Sequence, residues 1–218
     1  MNVDTVRAAV EAEFRVTGAD TPSWPDPHAG AEDEPDEAEY SRVSDPAKYR
    51  ILGARVAAWL RALTGLGLAT VSTVDDMSAM WRGKKPDSGP ISQARWVRPH
   101  RPDAIALLVC TSGFEGPTDN GVLLGAGTPA VEIVLLPDCG CDACDSGSAE
   151  LLEELDDHIL DVVTGAFTHV ATPRGTVQGE RDGWSASGPW DFAEAEQVLA
   201  DARAKRSAYP VVSGTAWW

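Results

Sequence analysis

Residues 131–163 read VEIVLLPDCGCDACDSGSAELLEELDDHILDVV. The first six are apolar enough for a buried strand, and Pro137 stops it. A loop follows that holds three of the chain's four cysteines. From Ala149 the period changes: Leu151 or Leu152, Leu155, Ile159 and Val162 recur at helical spacing, and the acids between them are expected to face water. A strand, a tight cysteine loop and an amphipathic helix thus follow one another directly.

Upstream, residues 104–111 (AIALLVCT) and 121–126 (GVLLGA) are two further apolar runs. The connections suit hairpins rather than parallel crossovers, which need about a dozen residues or more. Such runs predict an antiparallel meander covered by helices. The expected fold class is therefore α+β, a mainly antiparallel sheet with helices packed on one face. Residues 66–74 predict another strand, 166–171 one more, and 176–187 a polar hairpin. Ser44-Asp45-Pro46 starts a helix reaching about Leu63, with Tyr49, Leu52, Val56, Trp59, Leu60 and Leu63 as its apolar stripe. Residues 189–203 predict a last helix carrying Phe192, Val198 and Leu199. The closing Trp217-Trp218 is either docked on the body or an interaction tail.

Three parts are expected: an N-terminal helix (1–18), an acidic Pro-rich loop or linker (19–43), and a single α+β domain (44–218) containing the cysteine loop at 138–148. Val3, Val6, Val10 and Phe14 share a face of the first helix. The linker holds six acids between Glu32 and Glu39 and reads as unpacked, with Trp24 as its candidate anchor.

The net charge is −16, and the first 45 residues carry twelve acids against three bases. Such a surface disfavours nucleic acid, because phosphate binding needs basic groups. The plainer reading is a solvated, soluble surface; the sharper one is an acidic decoy for a basic protein partner, of which an immunity-type inhibitor is one form. No apolar run is long enough to span a membrane, and no signal peptide is evident, so a cytoplasmic setting with reduced thiols is expected. Residues 81–102 reverse the charge, with six Lys or Arg against one Asp. They read as a solvated basic loop, with a small anion at Arg82, Lys84, Lys85 or Arg95 as the sharper alternative.

Cys139-Gly-Cys141-Asp-Ala-Cys144 is the one constellation with chemistry of its own. Three thiols in a loop pivoting on Gly140 can converge on one point. The leading reading is a zinc site, since thiolates suit zinc and structural sites want four ligands. Cys110 is the first candidate for the fourth, because the ends of the first and third meander strands share a sheet edge, about 10 Å apart. Asp138, Asp142, Asp145 or His100 are others. His158 lies roughly 15 Å along its helix and fits poorly. The alternatives are a disulfide, inert thiols, or a redox Cys141/Cys144 pair. Asp138, Asp142, Asp145 and Glu150 weigh against the last by disfavouring thiolate.

The segment PDCGCDACDSGSAELLEELDDHILDVVTGAFTH resembles the signature of a family of uncharacterised bacterial proteins, a domain of unknown function. The resemblance runs from about Ile133 to His169, takes in the meander before it, and extends to the turn at Asp182-Gly183-Trp184. It implies Cys139, Gly140, Cys141, Asp142, Cys144 and Asp145 as signature positions. It implies no activity and does not supply Cys110.

The serines of Gly183-Trp-Ser185-Ala-Ser187-Gly188 lack the context of a nucleophile elbow and suit turns. Trp96, Trp184 and Trp190 are candidate pocket linings, with core packing as the plainer role. The functional expectation is a non-catalytic cytoplasmic binding or accessory protein with the cysteine loop as a structural clamp. A thiol-redox or metal-dependent enzyme is the contrary one.

Overall fold

Five strands form an antiparallel meander in chain order: β1 (Ala69–Thr73), β2 (Ile91–Pro99), β3 (Leu107–Ser112), β4 (Gly121–Gly127) and β5 (Ala130–Leu136). The computed structural model describes residues 1–30, 34–83, 86–113 and 119–218. The strict alternation of β3 and β4 gives the sheet two apolar faces. Val97, Leu107, Val109, Val122 and Leu124 join the main core with α1 (Val3–Thr17), α2 (Arg50–Gly65) and α3 (Gly147–Thr164). Leu108, Cys110 and Leu123 face the other way and pack with Met80, Trp81 and Trp96.

A second antiparallel sheet has the order β8 (Trp184–Ser187), β7 (Gly175–Gly179), β6 (Thr168–Thr172) and β9 (Val211–Ser213). Helix α4 (Phe192–Arg203) covers one face of it through Val170, Val177, Ala195 and Leu199. The polar hairpin expected at 176–187 is β7–β8. The tail docks on the body: Trp217 is buried and its N–H donates to the Val163 carbonyl at 2.9 Å.

Three expectations need correction. The basic stretch is not wholly a loop, because it contains β2, the second strand of the meander. Ala94, Trp96 and Val97 are buried while Arg98 reaches out, its guanidinium 5.4 Å from the Trp96 ring centre. Backbone pairing to β1 and β3 needs no apolar run, and long cationic side chains leave the strand at its outer positions. Phe192 is 66% exposed. It opens α4, and the core positions go to Ala195, Leu199 and Ala202, which follow at helical spacing. Finally, not every acid of α3 faces water: Asp156 and Asp161 are buried.

Asp156 holds the three helices together. Its carboxylate accepts from Arg55 Nε at 2.9 Å and from Trp59 Nε1 at 2.6 Å, both on α2. Glu11 of α1 pairs with the same Arg55 Nη2 that Asp156 Oδ2 holds. Burial works against the Arg55 charge, but the hydrogen bonds to Asp156 and Glu11 outweigh it and hold its pKa above the ordinary value. Asp161 accepts instead from Arg181, whose N–H and Nε both lie 3.0 Å from Oδ1. Burial pushes the Asp161 carboxyl up, and the Arg181 contacts only partly offset this.

Removing one partner of a buried ion pair leaves an uncompensated charge, at a cost of about 3–5 kcal/mol. Asp156→Ala is expected to lower unfolding stability by that amount in urea titration. The double change Arg55→Met with Asp156→Leu is expected to recover most of it. A single variant within about 1 kcal/mol of wild type would remove the pair from its central role.

Candidate metal centre

Residues 137–146 carry the chain from the end of β5 to the start of α3. Gly140 takes a left-handed φ of 63°, and one turn of 3-10 helix, Asp142–Cys144, follows. This folds the three thiols together. Cys139 Sγ and Cys141 Sγ are 3.4 Å apart, and all three sulfurs lie within 4.8 Å of one another. Zinc–thiolate bonds of ~2.3 Å in a tetrahedron place sulfurs ~3.8 Å apart, inside that range. Cys141 is buried, whereas Cys139 and Cys144 are exposed.

The sulfurs differ electrostatically. Burial pushes the Cys141 thiol up, but hydrogen bonds from the neighbouring thiols and from the backbone N–H groups of Cys144 and Ala143 bring it below its ordinary value. Cys144 is pushed up to about 12, first by its hydrogen bonds to Cys139 and Cys141 and then by burial. The loop thus builds one sulfur that favours the anion, cradled by amides, with two sulfurs beside it.

Residues far away in sequence clamp the loop. Trp24 Nε1 donates to Asp145 Oδ1 at 2.8 Å, and Lys48 pairs with Asp145 Oδ2. Arg42 Nε and Ser44 Oγ each donate to Asp142 Oδ2 at 2.6 Å, and the Ser44 N–H donates to Oδ1 at 2.9 Å. Tyr49 Oη donates to the Gly140 carbonyl at 3.1 Å. His28 Nε2 lies 3.0 Å from the Asp142 carbonyl oxygen. Trp24 and Tyr49 meet edge to face at 5.8 Å, and Lys48 Nζ sits 5.1 Å from both ring centres. The strap passes so close to α3 that a Cβ on Gly147 would lie 2.5 Å from the Asp26 nitrogen, and the φ of 85° there also demands glycine.

Cys139, Cys141 and Cys144 are brought together as the sequence predicts, and they are the one group of this kind among the described residues. Cys110 is not brought to them: it lies in β3, buried among Leu108 and Leu123 on the sheet face away from the helices. Asp142 and Asp145 are engaged by the strap, and His100 Nδ1 lies 2.8 Å from the Gly67 carbonyl oxygen. Asp138 and Glu154 remain beside the thiols, lining a cleft of about 140 Å³ with Cys139 and Cys144. Burial pushes the Glu154 carboxyl up, opposed by His158. The three candidate tryptophans do not meet: Trp96 is buried in the meander, Trp190 lines a groove with Arg174, and Trp184 lines another with Arg203.

Loop, strap and both sheets fall within one stretch of shared pattern. The chain belongs to a family of unknown function, DUF6226, whose model matches residues 10–218. That agrees with the resemblance seen around the cysteine motif, and it extends the family over both sheets and the strap. No curated protein and no solved structure matches the chain.

Arg42, Ser44 and Lys48 were not singled out from the sequence as parts of the site. Its only signal for the strap was Trp24, a lone aromatic among prolines and acids.

The strap makes the fold acid-sensitive in a defined direction. Hydrogen bonds from Ser44 and Arg42 hold the Asp142 carboxyl well below the usual carboxylate range. In the unfolded chain it titrates near 3.9. The stability it contributes is therefore fully present above about pH 5, begins to be lost as the pH falls through the unfolded value, and goes on falling toward the folded-state value. Asp142→Asn is expected to flatten the fall in stability between about pH 5 and pH 3, read by urea titration. Parallel pH profiles for the two proteins would show that the contact does not form.

Proposed function

We propose that the protein is a non-catalytic binding or accessory protein whose cysteine loop holds zinc as a structural clamp. The observation that carries this is the convergence of three sulfurs within 4.8 Å. Backbone amides aimed at the Cys141 sulfur support a thiolate there. Cys139, Cys141 and Cys144 would hold the metal, and a carboxylate of Asp138 or Glu154, which line a cleft with Cys139 and Cys144, or a water would supply the fourth ligand. A metal at this point ties the end of β5, the start of α3 and the strap to one centre. Reduced thiols of this kind suit a cytoplasmic setting, and the front-loaded acidity suits a basic protein as partner. No helix among the described residues is long and apolar enough to cross a membrane.

A clamp of this kind couples metal to folding. Free zinc at about 100 times its Kd stabilises the folded state by roughly 2.7 kcal/mol. Protein purified without chelator or affinity metal is expected to contain about one zinc per chain by plasma mass spectrometry. Its loop thiols are expected to resist alkylation until unfolding. Cys141→Ser is expected to lose the metal and lower the thermal midpoint. Metal-free protein with reactive loop thiols would overturn the clamp. Metal-free protein lacking two thiols would replace it with a disulfide, whose reduction potential separates a staple from a redox switch.

A further inference from the structure

The second sheet is covered by α4 on one face only. Val170 and Val177 point into that contact. By strand alternation, His169 and Ala171 of β6 and Thr176 and Gln178 of β7 point the other way. There they line a cleft of about 760 Å³. Val131 and Ile133 of β5 and the turn at Arg82-Gly83 stand across it. The volume lies within the ~300–1,000 Å³ of small-molecule sites, and its wall is more apolar than polar, as such sites are.

The wall at Arg82 is built rather than incidental. The Arg82 N–H donates to the Ala130 carbonyl at 2.7 Å, and the Ala130 N–H donates to the Met80 carbonyl at 2.8 Å. Trp81 between them is buried and forms a parallel bridge to Ala130. The Arg82 backbone is thus locked to the start of β5 while its side chain is exposed at the cleft.

Arg42, Arg55, Arg174, Arg181 and Arg206 all meet carboxylates within the fold. Arg82 is one of the arginines, with Arg15, Arg50, Arg95 and Arg98, that meet no carboxylate among the described residues, in a chain where acids outnumber bases 34 to 18. Beside it, His169 Nδ1 is buried without a hydrogen-bond partner among the described residues. Burial first, and the Arg82 charge second, lower the His169 pKa and so disfavour the charged imidazolium. Glu132, at the rim, has its carboxyl pushed up by burial. The cleft therefore offers a cation that no carboxylate pairs among the described residues, a buried imidazole nitrogen without a hydrogen bond, and an apolar floor, with Glu132 at its rim.

We propose that this cleft binds a small organic anion, with a carboxylate or phosphate head on the Arg82 guanidinium and an apolar body against Val131, Ile133 and Ala171. The site is independent of the cysteine loop and of any metal there. A cation unpaired by the protein has a free valence for an anionic head, and an apolar wall adds affinity only for a ligand with a carbon body. Inorganic ions are thus expected to bind more weakly than their aryl counterparts.

The test is a titration of the full-length, isotopically labelled protein, followed by amide and imidazole chemical shifts. The probes are benzoate, phenyl phosphate, inorganic phosphate and benzyl alcohol. Either aryl anion is expected to give saturable shifts at His169, Gln178 and Ile133, and the better of the two identifies the head group. Benzyl alcohol is expected to bind at least tenfold more weakly. Arg82→Gln, an exposed change, is expected to weaken the aryl anion at least tenfold while leaving shifts elsewhere in place. The proposal is overturned if neither aryl anion saturates. It is equally overturned if benzyl alcohol binds as well, if Arg82→Gln binds like wild type, or if the shifts map outside the cleft.

Discussion

Arg55 and Asp156 face one another between α2 and α3, and the surroundings of the cysteine loop are placed by that contact. Two charges taken out of water cost several kcal/mol each, so the pair is tolerated only because its remaining hydrogen-bond capacity is filled. Trp59 fills it on one side and Glu11 on the other. The consequence is geometric. With α2 and α3 locked in register, Lys48 and Tyr49, in the 3-10 turn just ahead of α2, reach Asp145 and Gly140 just ahead of α3. The same ion pair that joins two helices therefore sets the distance across which the strap grips the loop.

That grip answers an electrostatic difficulty built into the motif. Asp142 and Asp145 sit among thiols that bind metal only as thiolates, and unpaired carboxylates there oppose ionisation. The structure imports cations: Arg42 to Asp142 and Lys48 to Asp145. Nearly a hundred residues separate each pair, but closing such a loop costs an entropy that grows only with the logarithm of its length. Once one contact is made, Trp24, Ser44 and Tyr49 add theirs at little further entropic cost. The aspartates of the motif thereby act as receptors for these distant side chains, with Asp142 held by Arg42 and Ser44 and Asp145 by Lys48 and Trp24.

The meander and the helix after the cysteine loop were legible because short apolar runs and helical spacing are local signals; β3, β4 and β5 carry the first and α3 the second. The convergence of Cys139, Cys141 and Cys144 was legible for the same reason, since a few residues determine it. What escaped is what distance in sequence hides. Strand β2 looked like a basic loop because its charge outweighs its weak alternation. The second sheet escaped because β9 has only three residues and pairs with β6 across the whole of α4. The buried acids of α3 left one usable trace. Arg55 lies three residues after Leu52 and four before Trp59, on the apolar stripe itself, and a cation there requires a buried anion opposite.

Cys110 shows how strand parity constrains the site. In β3, Leu107 and Val109 point toward the helices while Leu108 and Cys110 point away. The cysteine loop leaves the sheet at Leu136, which belongs to the helix side, and runs directly into α3. Bringing Cys110 to that loop would require a one-residue slip of β3. Such a slip turns every side chain of the strand to the opposite face and expels Leu107 and Val109 from the main core. Leu107, Leu108 and Val109, all buried, would have to change faces, and the apolar burial they supply holds β3 in its register. Sheet-edge proximity is therefore not enough to recruit a ligand; the ligand must also have the parity of the face on which the loop folds.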